Sequence, residues 1–283
     1  MLATAVSVAG CSADAPDPST TSATAPASTA EVVVAADVYR SRIDPARGGI
    51  QLSVRNDGAA PLTIVHAALD SPALETPVER DRTTAIAPGQ TRDLAMTLTS
   101  AACPAASEAP PDALLTVVLA DGSSAEVRVP TTDRLGQWAD WLAAECFAAA
   151  VAERAAIAVR HDPARDDGAL VGLLLDVAPR AAGLELVALH DTVLFGLVRA
   201  ADGGRATSVT LAGASGAGGL ASASIPLLLT PARCDAHALA DDKQGTLFRL
   251  DVRVDGEPGT VTIAADAATR AALYDAFTRA CGL

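Results

Sequence analysis

The sequence predicts a mainly β protein: two tandem β-sandwich domains, each closed by a C-terminal α-helix. Three observations predict it. Apolar residues alternate over short runs bounded by turn residues, as in half-buried strands. One series of features occurs twice, in the same order, with length changes confined to the connections. Each half then ends in a stretch whose apolar residues fall three or four apart and finish on a cysteine. The 283 residues suit two domains, and either half is long enough to bury a core of its own.

The chain begins with small and apolar residues, Met1 to Gly10, ending Val8-Ala9-Gly10-Cys11. This resembles the bacterial lipobox, in which small residues before a cysteine permit cleavage and the cysteine sulfur is acylated. The resemblance implies that 1–10 is a lipoprotein signal peptide and that Cys11 carries a membrane lipid. The chain would then sit on the extracytoplasmic face of a cell membrane. A signal peptide opens with a basic region, which 1–10 lacks, so the signal is expected to be truncated and the true start to lie upstream. The plain alternative is an apolar N-terminus with a free thiol. Residues 12–30 are only Ser, Ala, Asp, Pro and Thr. They bury too little apolar surface to offset their ordering entropy, so 11–30 reads as a disordered tether.

Residues 31–152 form the first expected domain. Strands are predicted near 32–38, 49–55, 61–68, 83–87, 92–99, 113–120 and 125–130. Asp121-Gly122 supplies the positive φ of a tight hairpin between the last two. Seven short strands in such a length point to a sandwich. Val54-Arg55-Asn56-Asp57-Gly58, then Pro61-Leu62, then Ala87-Pro88-Gly89-Gln90, resemble the immunoglobulin-like domains of many secreted bacterial proteins. The expected fold is therefore immunoglobulin-like. In the closing helix Asp133 is the expected N-cap, and Leu135, Trp138, Leu142 and Cys146 share one face.

Residues 153–283 repeat the plan. Asp44-Pro45-Ala46-Arg47 recurs as Asp162-Pro163-Ala164-Arg165, and Leu62-x-Ile64-Val65 as Leu184-x-Leu186-Val187. Leu94-x-Met96-x-Leu98-Thr99 with Cys103 recurs as Ile225-x-Leu227-x-Leu229-Thr230 with Cys234. Asp255-Gly256 repeats the hairpin turn, and Leu273, Phe277 and Cys281 repeat the helical face after Asp266. The uncharged run Val209 to Ala232 is long enough for a bilayer, but its glycines, serines and prolines make it a loop followed by a strand. Trp138 aligns with Leu273, which gives it a core role. Trp141 aligns with Ala276 and is expected to be the more exposed tryptophan, a candidate binding surface, though packing at the domain junction is the favoured role.

With Cys11 acylated, four cysteines remain, and four allow three pairings. The duplication selects Cys103–Cys146 and Cys234–Cys281, one bridge per half, which requires an oxidising compartment. His237 lies three residues after Cys234, but no second Cys or His stands near them to complete a site and there is no Cys-x-x-Cys, so neither a zinc site nor redox catalysis is expected. No metal and no cofactor is predicted.

The net charge of −13, with Lys243 as the one lysine, argues against nucleic acid, whose phosphates need clustered cations. His66, His161, His190 and His237 form no trio with a nucleophile and a carboxylate shared by both halves. No catalytic residue is therefore assigned. The expected function is a non-enzymatic binding or scaffolding module of the cell envelope with an envelope protein partner. The alternative is an envelope hydrolase with a non-standard site at His66, Glu75, Glu79 and Asp81.

Overall fold

The computed structural model describes residues 32–211, 215–216, 219–220, 222–235, 237, 239 and 245–283. The chain is mainly β. The first half runs β1 (Val34–Tyr39), β2 (Gly49–Asn56), β3 (Leu62–Asp70), β4 (Val78–Arg80), β5 (Thr84–Ile86), β6 (Thr91–Thr97), β7 (Asp112–Leu119), β8 (Ser124–Thr132) and α1 (Gln137–Arg154). The second runs β9 (Ala155–His161), β10 (Val171–Pro179), β11 (Leu184–His190), β12 (Phe195–Val198), β13 (Arg205–Ala206) and β14 (Ser208–Thr210). It continues through β15 (Ser215–Gly216), β16 (Gly219–Leu220), β17 (Ala223–Pro231), β18 (Leu247–Val254), β19 (Glu257–Ala264) and α2 (Ala267–Cys281).

Alternation governs the strands. In β2, Ile50, Leu52 and Val54 are buried; in β10, Val171, Leu173, Leu175 and Val177 are, each contributing about 1.5–3 kcal/mol of transfer free energy. In the first half the strand missed by the sequence reading is β4, where Val78 is the one buried residue of three, too short a run to alternate.

The first half is ordered β4-β3-β7-β8-β1-β2-β6, with β5 also on β3. The parallel pairing of β1 with β8 spans only Ala36–Thr131 and Asp37–Thr132, so it is a narrow seam between two antiparallel sets. In the second half those sets are separate sheets, β13-β12-β17-β10-β9 and β14-β11-β18-β19. The path β1-β2-β6 thus recurs as β9-β10-β17, and β3-β7-β8 as β11-β18-β19.

Two details repeat with the topology. The pairing of β3 with β7 shifts between Ile64 and His66, and that of β11 with β18 between Leu186 and Ala188, a bulge at matching places. Gly49 and Gly172 also match: a Cβ on Gly49 would press on the Asp44 carboxylate, and one on Gly172 would overlap the Asp162 carbonyl. Each Asp-Pro-Ala-Arg turn needs a bare backbone beside it.

Two hydrophobic clusters result, one within residues 36–142 and one within 151–277, and α1 joins them. Trp138 and Leu142 are buried in the first. Val151 is buried in the second, with Phe147 and Ala150 packed against it. The Phe147 ring lies on Gly259 of β19, where any Cβ would overlap it. Arg154, the last residue of α1, pairs with Asp255 in the β18–β19 turn at 2.7 Å, and β9 starts at the next residue. No linker residue separates the halves, and Val32–Leu283 pack as one unit.

Helix α1 starts later than its apolar spacing suggests. Gly136, at φ 67°, turns the chain, and the Asp133 carboxylate accepts from the Gln137 and Trp138 amides, both at 3.0 Å. The N-cap residue is thus Gly136 and not Asp133, whose side chain still satisfies two first-turn amides; Leu135 precedes the helix, out of phase with the buried face, and is 65% exposed. In α2, Asp266 accepts from the Thr269 amide at 2.7 Å, and Leu273, Ala276 and Phe277 are buried. No helix among the described residues is long and apolar enough to cross a membrane.

Candidate functional site

A groove of about 630 Å³ lies between the halves. Arg40 and Pro45, from the β1–β2 connection, and Glu145, from α1, form one wall. Asp191, Thr192 and Val193, which follow β11, face them with Leu247 and Arg249 of β18 and Thr262 of β19.

Local structure holds each wall in place. The Arg40 amide donates to Gln137 Oε1 at 2.7 Å, Gln137 Nε2 donates to the Arg40 carbonyl at 3.1 Å, and Arg40 Nε donates to the Gly49 carbonyl at 3.1 Å. The connection is thereby clamped to the first turn of α1. Burial pulls the Arg40 guanidinium down from its ordinary value, against the nearby carboxylates of Asp44 and Glu145. Asp44 accepts from the Ser41 amide at 2.7 Å and from Gln51 at 3.0 Å. Burial raises its carboxyl, and these hydrogen bonds outweigh burial and hold it below the ordinary range. On the other wall, Thr192 Oγ1 donates to the Gly245 carbonyl at 2.8 Å and accepts from the Phe195 amide at 3.0 Å. Arg249 stands opposite Thr262 in register. One row along that sheet, His190 Nε2 is 2.6 Å from Asp251 Oδ2. The Thr260 hydroxyl and then His190 hold the Asp251 carboxyl low.

The residues singled out from the sequence fall as follows. Cys11 lies outside the described residues. Cys103 pairs with Cys146, and Cys234 with Cys281, at Sγ–Sγ distances of 2.04 and 2.05 Å, the pairing that the duplication selects. Trp141 requires a correction. It is 6% exposed and packs on Trp138, ring centroids 5.1 Å apart, so it offers no surface to a ligand. The alignment with Ala276 misled because Ala276 is itself buried, 3% exposed: both positions belong to the core, filled by a large side chain in one half and a small one in the other.

His66 and Asp81 come together, Nδ1 to Oδ1 2.7 Å, and His66, Glu79 and Thr116 line a hollow of about 470 Å³. Glu75 is held elsewhere, its amide donating to the Ser100 carbonyl. His161 pairs with Asp166 at 3.0 Å. Among the described residues no group of three or more His, Cys, Asp or Glu side chains is arranged to hold a metal ion.

The four groove charges, Arg40, Glu145, Asp191 and Arg249, escaped the sequence reading. They come from four separated segments, and no local spacing links them.

What these residues define is a mainly β chain with a charged groove between two joined halves. No family model matches the chain, and no curated protein does. Among solved structures it is similar to red sea bream transglutaminase, with 11% identity over 82% of this chain and a TM-score of 0.23. The match spans 31% of that enzyme. A second similarity is to the CsuC-CsuE chaperone-tip adhesion subunit pre-assembly complex of Acinetobacter baumannii: 9% identity, 76% of this chain, 91% of that one, TM-score 0.19. A third is to the BSP domain of a biofilm associated protein: 9% identity, 82% and 59% of the two chains, TM-score 0.24.

Proposed function

We propose that the protein is a lipid-anchored, extracytoplasmic binding or scaffolding module without enzymatic activity. In this reading Cys11 carries the acyl anchor, 11–30 is the tether, and two duplicated immunoglobulin-like sandwiches, each closed by its helix and disulfide, present the groove to an envelope protein partner. The observation that carries the binding role is the groove. Its walls come from both halves, and α1 fixes their separation through Phe147 on Gly259 and Arg154 on Asp255. A preformed concavity loses little ordering entropy when a ligand enters. The disulfides support an oxidising compartment, and the acidic surface weighs against nucleic acid.

Two measurements test this. Mass spectrometry of protein recovered from the membrane fraction should find Cys11 at the N-terminus carrying acyl chains; an unmodified thiol there rejects the anchor. Photocrosslinking from Val193, at the groove, should capture one protein that crosslinking from Asp121, on a distant hairpin, does not. Equal capture from both positions rejects the binding role.

The second reading, an envelope hydrolase, is favoured only by the His66–Asp81 pair beside Glu79. It requires His66→Ala to abolish a measurable turnover.

A further inference from the structure

We propose that the groove recognises a short peptide segment carrying both an acidic and a basic group, held across the two halves. This rests on the binding role above and names the chemistry of its ligand.

The groove's charges are balanced and divided. The first half supplies one cation, Arg40, and one anion, Glu145. The second supplies one anion, Asp191, and one cation, Arg249. Some charged side chains elsewhere are used within the fold: Arg128 bridges Asp70 and Asp112, Arg134 grips Asp37, and Arg253 meets Glu185. Among the described residues, none of the four groove charges forms a salt bridge within 4.0 Å. Arg40 lies near Asp44 and Glu145 and Arg249 near Asp251 without closing an ion pair, so part of their hydrogen-bonding capacity remains for a ligand.

Physical chemistry narrows what that ligand is. A guanidinium that has lost part of its hydration and is held by its Nε, as Arg40 is, presents a planar fork suited to a carboxylate. A polyanion would gain from the two arginines and lose against Glu145, Asp191 and the chain's net charge of −13. A polycation would meet the two arginines. Only a ligand with both signs satisfies both sets, which is selection by repulsion as much as by attraction. Its body meets apolar surface. Val193, 55% exposed, lines the groove with Pro45 and Leu247, and Ile43, 38% exposed, stands two residues from Pro45. Exposed apolar side chains beside charged ones suit a contact surface. A volume of about 630 Å³ falls within the ~300–1,000 Å³ range of sites that enclose a small ligand, enough for a few residues of extended chain.

The test is calorimetry of the full chain with four blocked tetrapeptides: acetyl-Glu-Val-Val-Arg-amide, acetyl-Glu-Val-Val-Glu-amide, acetyl-Arg-Val-Val-Arg-amide and acetyl-Gln-Val-Val-Gln-amide. The dipolar peptide should bind at least tenfold more tightly than each of the others. Arg249→Gln and Asp191→Asn should each weaken it at least fivefold with an unchanged thermal melt, since neither side chain is part of a core. The single reversal Arg249→Asp, which leaves Arg40 against three carboxylates, should move the preference toward acetyl-Arg-Val-Val-Arg-amide. Any other order of the four affinities, binding indifferent to both single variants, or no heat at millimolar peptide overturns the proposal. An acylated Cys11 together with a silent titration would leave the anchoring reading standing and remove this one.

Discussion

Cutting the two disulfides one at a time should separate the two cores. Cys103–Cys146 closes a loop of 43 residues and Cys234–Cys281 one of 47. On the chain-entropy model each contributes about 4 kcal/mol, close to a thousandfold in the folding equilibrium. Their consequences should differ because their helices do. Cys281 is the last residue of α2, which packs within the second core. Cys146 lies inside α1, between the tryptophans buried in the first core and the Val151 buried in the second. The only two tryptophans, Trp138 and Trp141, both lie in the first core. Tryptophan fluorescence therefore reports that core, and far-ultraviolet circular dichroism reports both. In urea, Cys103→Ala with Cys146→Ala should lower the fluorescence transition by about 4 kcal/mol and also weaken the later part of the dichroism curve, since α1 serves both cores. Cys234→Ala with Cys281→Ala should lower the dichroism transition by a similar amount and the fluorescence transition by much less. If the second pair moved the fluorescence transition as far as the first, the division into two cores joined by α1 would be wrong. A fluorescence loss under about 1 kcal/mol for the first pair would refute the closure estimate.

Three further outcomes follow from the packing. Trp141→Ala should cost about 3–5 kcal/mol in urea unfolding, as for a buried aromatic, whereas a surface platform would cost under about 0.5. Gly259→Ala puts a Cβ into the Phe147 ring and should cost about 1–3 kcal/mol; adding Phe147→Ala should not add its full single-variant cost, which a double-mutant cycle will show. For Asp37, burial raises the carboxyl, but the hydrogen bonds from Arg134 and Thr132 prevail and hold it below its ordinary 3.8. A depressed folded pKa means that this stability is present above the unfolded value and is lost as pH falls through the folded one. Melting should therefore be flat through neutrality and drop below about pH 4, and Asp37→Asn should lower the neutral plateau and shallow the acid limb.

How far each feature could be read depended on how local its cause was. Asp133 and Asp266 announced their helices because capping is settled within a few residues. Leu135 misled because Gly136 turns the chain before the helix begins, so its spacing to Trp138 has no helical meaning. Trp141 misled because its partner in the repeat is an alanine, and a small residue in a core looks the same in sequence as a small residue on a surface.

The strands, the paired cysteines and the repeated order of features were legible because alternation, turn chemistry and repetition are written along the chain. Arg40, Glu145, Asp191 and Arg249 share no spacing and meet only when α1 lays Phe147 on Gly259. Charge position in space follows from how elements pack, and packing is set by contacts between residues far apart in the chain. The groove was therefore decided by the tertiary structure alone.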